Sequence, residues 1–205
     1  MRYFFFYILI SSTAYSQISA VTENGDEVFL YDDNTWIYKN DNLSNKSLSS
    51  ISYPIYNYDK NSTFLVKSST INMGVYIDPK KWSFNKSLSS EYEYEFELKN
   101  EELFAMMINE KIEMPLENLK ELAFDNFSFA ADDARIVNQE FRSVNDLLIL
   151  MLHMEGKIEG LSVFYYGYYF SSDKGTTQFV TYTTTNLFDA YKSEIEKFLN
   201  GLINF

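Results

Sequence analysis

The run Leu161-Ser-Val-Phe-Tyr-Tyr-Gly-Tyr-Tyr-Phe170 is dominated by aromatic and β-branched residues, which favour β-strands. A polar loop follows and ends at Gly175, which can adopt positive φ, and residues 176–183 form a second strand-like run. Asn186 can then cap a helix that ends at Gly201. The apolar positions with helical spacing are Leu187, Tyr191, Ile195, Phe198 and Leu202. A hairpin followed by an amphipathic helix predicts an α+β core.

The composition excludes several classes of protein. The 205 residues are 46% hydrophobic, which is enough for a sizeable core, and they include no cysteine, so disulfides, thiolate metal sites and cysteine nucleophiles are absent. The net charge of −12 argues against nucleic acid as a partner, because that role requires a surface rich in Lys and Arg. No P-loop, dinucleotide-binding glycine motif, zinc-protease motif or EF-hand loop occurs, so no cofactor is expected.

The N-terminus has the pattern of a signal peptide. Arg2 precedes an apolar run at residues 3–10, which is well short of the roughly 20 residues that cross a bilayer. Ala14 and Ser16 have the spacing that a signal peptidase recognises, so residues 1–16 are predicted to be removed by cleavage before Gln17. A buried N-terminal strand is the alternative. The sequence thus predicts export to the periplasm or the medium, with no transmembrane segment after cleavage.

Residues 17–39 contain three short strand-like runs separated by turn residues. Asn24-Gly25 suits a type I′ turn, and Asn34 tolerates a left-handed conformation. The segment resembles a short β element found behind the signal peptide of many bacterial envelope proteins, with the pattern T-x-x-G-x-x-V-x-L-x-x-D-G-T-W-x-Y. The matching residues are Thr22, Gly25, Val28, Leu30, Asp33, Thr35, Trp36 and Tyr38, and Asn34 replaces the usual Gly. Because three short strands cannot bury a core, we expect Trp36 to dock onto the main domain or a partner.

Residues 40–62 are rich in Asn, Ser, Lys and Asp, which is typical of a linker, although residues 51–58 are candidates to lie along the main domain. The main domain, residues 63–205, contains the clearest strand pattern. Its apolar positions Tyr92, Tyr94, Phe96 and Leu98 alternate with Glu91, Glu93, Glu95 and Glu97. Same-face neighbours on one strand lie about 7 Å apart, and metal cages draw ligands from several segments, so a solvated face is favoured over a metal site.

Further elements complete the predicted domain. Residues 103–108 are apolar on both faces and are predicted to form a central strand, and a helix is predicted to begin at Pro115. The strands at 134–142 and 146–153 are bounded by predicted turns at Asn145-Asp146 and Glu155-Gly156. This order predicts an α+β fold with an antiparallel sheet packed by two main helices.

The order and punctuation of these elements resemble the PsbP-like α/β/α sandwich family between about Thr63 and Leu202. The matching features are the Lys81-Trp82-Ser83-Phe84 entry, the Glu-rich strand, the helix at Pro115, the strand starting at Val144-Asn145, and the two aromatic strands around Gly175 before the closing helix. That family is named for a photosystem extrinsic protein and includes exported bacterial members. The resemblance implies binding or assembly more often than catalysis, and it supplies no catalytic residues.

The candidate catalytic residues are few. His153 is the only histidine, but it closes an apolar strand and no G-x-S-x-G motif accompanies it, which favours a surface or turn-adjacent position over a hydrolase. Asp132 and Asp133 with Glu110 or Glu113 are a candidate carboxylate pair of the kind that glycosidases use. Asp133 lies just before a predicted strand, where acidic turn residues are common, and this interpretation is favoured over a catalytic pair.

The aromatic strands allow a binding function instead. Tyr165, Tyr166, Tyr168 and Tyr169 either pack in the core or, with Trp36, form a surface that recognises a glycan or an envelope protein. Two helices must cover this sheet, which favours packing for most of the tyrosines. The sequence as a whole predicts an exported, non-catalytic binding or assembly module of the bacterial cell envelope, with a hydrolase and a glycan-binding domain as the alternatives.

Overall fold

The computed structural model of the chain describes residues 18–22, 27–30, 36–38, 53–88 and 91–205. The chain divides into two compact units, residues 1–52 and residues 53–205. In the described part of the first unit, three strands form an antiparallel sheet in chain order. They are β1 (Ile18–Val21), β2 (Glu27–Leu30) and β3 (Trp36–Tyr38), as the three strand-like runs predict. The predicted signal peptide, the two connecting turns and the side chain of Trp36 lie outside the described residues.

The second unit contains two sheets and two helices. Its strands are β4 (Ile55–Tyr56), β5 (Phe64–Lys67), β6 (Met73–Ile77), β7 (Trp82–Lys86), β8 (Tyr94–Leu98), β9 (Phe104–Glu110), β10 (Asp132–Val144), β11 (Leu147–Ile158), β12 (Leu161–Ser172), β13 (Gly175–Thr184) and β14 (Leu202–Asn204). The helices are α1 (Leu116–Ala130) and α2 (Phe188–Leu199). A main sheet has the order β4-β10-β11-β12-β13-β9-β8-β7, and a small sheet has the order β14-β6-β5.

The main sheet is mixed, which corrects the predicted antiparallel sheet. Its β4 runs parallel to β10, with Ile55 opposite Ser143 and Tyr56 opposite Val144. The other neighbouring strands are antiparallel. Residues 53–62, which the sequence assigned to the linker, thus belong to the second unit, because they supply an edge strand of its main sheet.

Both faces of the main sheet are covered. On one face, Leu119, Ala123 and Phe127 of α1 pack against a cluster that includes Leu152 and Tyr169. The opposite face is covered by α2 and the small sheet, whose buried residues join one large cluster. The core members that α2 and the small sheet contribute are Val66, Met73, Val75, Ile77, Ile195, Phe198, Leu199 and Leu202. The unit is therefore a layered α/β structure with its cores on both sides of the long aromatic strands.

The turn between β10 and β11 is as predicted, and it also ties distant segments together. Asn145 and Asp146 both have positive φ, 47° and 66°, as a tight hairpin turn requires. The Asn145 side-chain amide donates to the carbonyls of Asn200 and Leu202, both at 2.8 Å. Its Oδ1 accepts the backbone N–H of Tyr58 at 3.0 Å. One turn residue therefore joins the segment after β4 to the end of α2 and to β14.

The predicted turn at Glu155-Gly156 is wrong. Both residues lie within β11, and the turn is formed by Glu159 and Gly160, with φ of 51° and 83°. A Cβ at Gly156 would lie 2.9 Å from the Cβ of Ala131, just after α1. The glycine is therefore required where the end of α1 approaches the strand, not for a turn.

The predicted cap of the last helix is displaced. Asn186 lies in a 3-10 turn, Thr185–Leu187, and α2 begins at Phe188 without a side-chain cap. The helix ends before Gly201, as predicted. A Cβ at Gly201 would lie 2.1 Å from the carbonyl oxygen of Tyr76, so only glycine allows α2 to pass into β14 beside β6.

Candidate functional site

His153 lies in the middle of β11 and is buried, which corrects the predicted surface or turn-adjacent position. Its side chain is 8% exposed, and His153 lies opposite Tyr166 on the neighbouring strand β12. The imidazole stacks on the ring of Phe188 with 4.3 Å between the centroids, and Phe164 meets it edge-on. The difference arises because β11 continues to Ile158, five residues past the predicted end of the strand.

The imidazole of His153 is not hydrogen-bonded through Nε2. That atom lies 3.5 Å from Glu155 Oε1 without hydrogen-bond geometry, and it is the one buried side-chain polar atom without a partner in the described part of the chain. Burial lowers the pKa of His153, Glu155 opposes this shift, and Lys192 and Arg135 add to it. The imidazole is therefore neutral at pH 7. Within the described residues, Nε2 therefore has no serine or threonine hydroxyl as a hydrogen-bond partner, which the base of a Ser-His hydrolase would require.

A charged cleft lies beside Glu155. Lys157 donates to Asp133 Oδ2 at 2.8 Å, and Arg135 forms an ion pair with Glu155. The cleft also contains Ser162 and Thr185 and has a volume of about 130 Å³. A hydrogen bond from Lys157 lowers the pKa of Asp133, so this carboxylate is ionised and paired rather than poised as a general acid.

The predicted carboxylate pair is not assembled. Asp132 pairs with Lys157 at the Leu161 end of β12, whereas Glu110 pairs with Thr176 at the opposite end. Lys157 lies opposite Ser162 and Thr176 lies opposite Ser171, nine residues apart on β12, which is roughly 30 Å at about 3.3 Å per residue. Glycosidase carboxylates lie within about 10 Å of each other. Asp132 and Asp133 therefore cannot act with Glu110, and Glu113 lies three residues beyond Glu110, just before α1.

Glu93, just before β8, has a structural role. Glu93 accepts hydrogen bonds from the Ser68 hydroxyl at 2.6 Å, from the backbone and hydroxyl of Ser69, and from the Asn109 side chain at 2.9 Å. Burial acts to raise the pKa of Glu93, but the hydrogen bonds together lower it by more. The pKa of Glu93 is therefore below its usual value. Glu95 and Glu97 are exposed, as the alternation predicts. Within the described ranges, no group of three His, Asp or Glu residues is arranged to hold a metal ion.

Three of the four tyrosines of β12 are buried, so they do not form the recognition surface that was the alternative to packing. Tyr166, Tyr168 and Tyr169 are 3% exposed or less. Tyr165 is half-buried, with its ring 4.7 Å from that of Phe127. Because helices or the small sheet cover both faces of the main sheet, rings on either side of β12 are enclosed.

A buried polar network lies beneath α2. The guanidinium of Arg142 donates to Glu140 at 2.6 Å and to the hydroxyl of Tyr168 at 3.0 Å, and it lies 3.5 Å from Glu196. The Tyr168 hydroxyl donates in turn to Asn200 Oδ1 at 2.8 Å. Burial raises the pKa of Tyr168 to about 12. None of these buried side chains is left without a hydrogen-bond partner, so the network fixes α2 against β10 and β12.

The outer face of the small sheet is mainly apolar, although Lys67 of β5 also lies on it, with its Nζ 4.3 Å from the centre of the Phe205 ring. Val66, Val75 and Leu202 point into the core, so by alternation Leu65, Tyr76 and Ile203 point away from it. An outward sheet face is ordinarily polar. Leu65, Tyr76 and Ile203 are half-buried on this face. We call it the aromatic face, and its residues are Tyr58, Leu65, Tyr76, Ile203 and Phe205.

The aromatic face is contiguous. Tyr58 stacks on Tyr76 with 4.8 Å between the ring centroids. The centre of the face is Gly74, where a Cβ would lie 3.1 Å from a methyl group of Leu65 and 3.2 Å from the Phe205 ring. Tyr58 and Phe205 are each 47% exposed. Large apolar side chains therefore meet over a glycine and leave ring surface open to solvent.

The sequence did not identify this face. Ile203 and Phe205 follow the predicted end of the last helix. The strand β14, which contains Ile203, depends on pairing with β6, more than a hundred residues earlier. The available signal was the pair of apolar residues Ile203 and Phe205 after the predicted helix stop at Gly201.

Comparison with solved structures gives the fold a name. The solution structure of cyanobacterial PsbP from Synechocystis sp. PCC 6803 matches with a TM-score of 0.55 over 69% of this chain and 92% of that one. The fold is PsbP-like. Only 12% of the aligned residues are identical, so the likeness extends to the fold alone. The PsbP-like unit has the mixed sheet and the two helices described above.

A second solved structure is more distant. It is a protein of unknown function from Pseudomonas aeruginosa, described as a putative regulator, with a TM-score of 0.45 and 8% identity over 69% of this chain and 96% of that one. No protein-family model and no curated protein sequence matches the chain. No helix in the described ranges is long and apolar enough to cross a membrane.

Proposed function

We propose that the chain is an exported, non-catalytic binding or assembly module of the bacterial cell envelope. The observation that carries this proposal is the aromatic face. A monomeric domain ordinarily turns polar side chains outward from a sheet, and contiguous exposed apolar surface marks sites of interaction. The signal-peptide pattern at residues 1–16 supports an envelope or extracellular location.

The titratable residues support a non-catalytic role. His153 is buried against Phe188, and its nearest carboxylate, Glu155, is paired with Arg135. Asp132 and Glu110, which could have formed a catalytic carboxylate pair, lie at opposite ends of the main sheet. A binding function does not require any of these side chains to be available for proton transfer.

Affinity capture from the native envelope tests the proposal. The tagged protein is expected to retain a specific protein partner, and Tyr58→Asp is expected to abolish the capture because it places a charge in the aromatic face. Phe129→Asp is the matched control, since Phe129 is a 96% exposed residue of α1 and lies outside that face.

The contrary result is equally definite. Equal recovery of partners with Tyr58→Asp and the wild type would remove the aromatic face from the proposal. Substrate turnover by the wild type that is lost in His153→Ala would replace the binding role with an enzymatic one. An intact Met1 on protein recovered from the envelope or medium would contradict cleavage before Gln17.

A further inference from the structure

A groove lies between the start of α1 and the end of the main sheet. We call it the sheet-end groove, and its lining residues include Glu113, Met114, Leu116, Leu148 and residues 170–173. The volume is about 610 Å³, within the range of roughly 300–1,000 Å³ that is usual for binding pockets. It is on the α1 side of the main sheet, whereas the aromatic face is on the α2 side. The two surfaces are therefore separate.

An exposed apolar row continues the groove across three strands. Leu150 is buried under α1, and Leu148 lies two residues earlier on the same side of β11, where the helix no longer covers it. Leu148 is opposite Ser143, which is opposite Ile55, and directly paired residues have Cβ atoms about 5 Å apart on one side of a sheet. Ile55 is 75% exposed and Leu148 is 47% exposed. Phe141, 41% exposed, extends this surface.

The charges around the groove are mainly acidic. Glu113 and Asp173 are its titratable lining residues, and no Lys or Arg lines it. Asp146 is exposed in the turn that precedes Leu148. Lys174 pairs with Asp173 at 2.8 Å, but both side chains are more than two-thirds exposed, so this pair is weak and exchangeable. A basic group entering the groove would therefore meet attractive charge.

We propose that the sheet-end groove binds an extended or helical segment of a partner protein that presents an apolar side chain flanked by Lys or Arg. The apolar side chain packs beside Leu148, and the basic groups pair with Glu113 and Asp173. A second copy of this chain would bring the same acidic rim and the same net charge of −12, which oppose self-association. The groove gives the module a second interaction surface, independent of the aromatic face.

Selection from a displayed library of random peptides against the full chain tests this inference. Selected peptides are expected to be enriched in apolar residues flanked by Lys or Arg. Their affinities, measured by fluorescence anisotropy, are expected to fall more than about tenfold in Leu148→Asp. Glu113→Lys is expected to weaken binding and to reduce its dependence on salt. Tyr58→Asp, in the aromatic face, is expected to have no effect.

Glu159→Lys is the matched control for charge. It makes the same change in an exposed turn at the far end of β11, eleven residues after Leu148 and therefore about 36 Å away at about 3.3 Å per residue, and should leave the affinity unchanged. Should Leu148→Asp fail to fold, Ile55→Asp replaces it at a more exposed position. Selection of no peptide, selection of acidic peptides, or affinities insensitive to both apolar variants would overturn the proposal.

Discussion

Replacing His153 with phenylalanine is expected to stabilise the protein. A buried polar atom left without a hydrogen bond costs about 1–3 kcal/mol, and His153 Nε2 is such an atom. Phenylalanine keeps the ring that stacks on Phe188 and removes the unsatisfied nitrogen. Its larger ring costs part of this gain in a packed site. The free energy of unfolding is therefore expected to increase by about 1 kcal/mol at pH 7. This increase raises Tm by about 2–4 °C in a protein of this size.

The same substitution is expected to change the pH dependence of stability. Burial lowers the pKa of folded His153 below the value of about 6.5 that it has in the unfolded chain. Between the two values the unfolded chain binds more protons, so the stability contributed by neutral His153 is present above pH 6.5 and is lost as the pH falls through this window. Glu155 on the same strand moderates the effect, and Lys192 on α2 and Arg135 on β10 increase it.

Urea unfolding at a series of pH values between about 5 and 8 measures both effects. Subtracting the wild-type free energy of unfolding from that of His153→Phe removes the contribution of the carboxylates, which the two proteins share. The difference should widen as the pH falls below about 6.5. Parallel curves for the two proteins, or a variant less stable at every pH, would refute the reasoning.

Two substitutions elsewhere in the chain test the packing. Gly201→Ala places a Cβ 2.1 Å from the Tyr76 carbonyl oxygen and should cost about 3 kcal/mol, measured by urea unfolding. Gly160→Ala, in an open turn with φ of 83°, should cost only about 1 kcal/mol of backbone strain, and equal losses would contradict the steric argument. Leu119→Ala, at a fully buried position of α1, should cost about 2–5 kcal/mol, whereas Leu122→Ala, 36% exposed on the same helix, should cost less than about 1 kcal/mol; similar values would contradict the placement of α1 on the sheet.

Elements with a strong local period could be predicted from the sequence. The alternation that ends at Leu98 gave β8, and the aromatic runs around Gly175 gave β12 and β13. The helical spacing after Pro115 gave α1, which begins at Leu116. These signals depend on neighbours in sequence, so they were readable without the tertiary structure.

Elements that depend on distant pairing could not be predicted. β4 has two residues and β14 has three, too few to show a period. Their places are set by pairing with β10 and β6. Gly156 was mistaken for a turn residue for the same reason, because the contact that requires a glycine is with Ala131.

The candidate site was predicted only in part. The sequence identified His153 and the β12 tyrosines as residues to examine, but their burial depends on the small sheet and α2 covering one face of the main sheet. Since the small sheet includes β14, its existence was not evident from the sequence. The aromatic face is the other side of that same small sheet, so it was not evident either.

The hydrogen bonds of Asn145 have a consequence for the cooperativity of local unfolding. This side chain bonds to segments 87 and 55 residues away in sequence, so neither β4 nor β14 has a local source of stability. Segments near the ends of a domain often fray independently of its core. Here Asn145, in the turn between β10 and β11, bonds to both segments, so amide protons in β14 are expected to exchange with solvent mainly through openings that also break these hydrogen bonds. The two peripheral strands are therefore expected to open together with the β10–β11 hairpin.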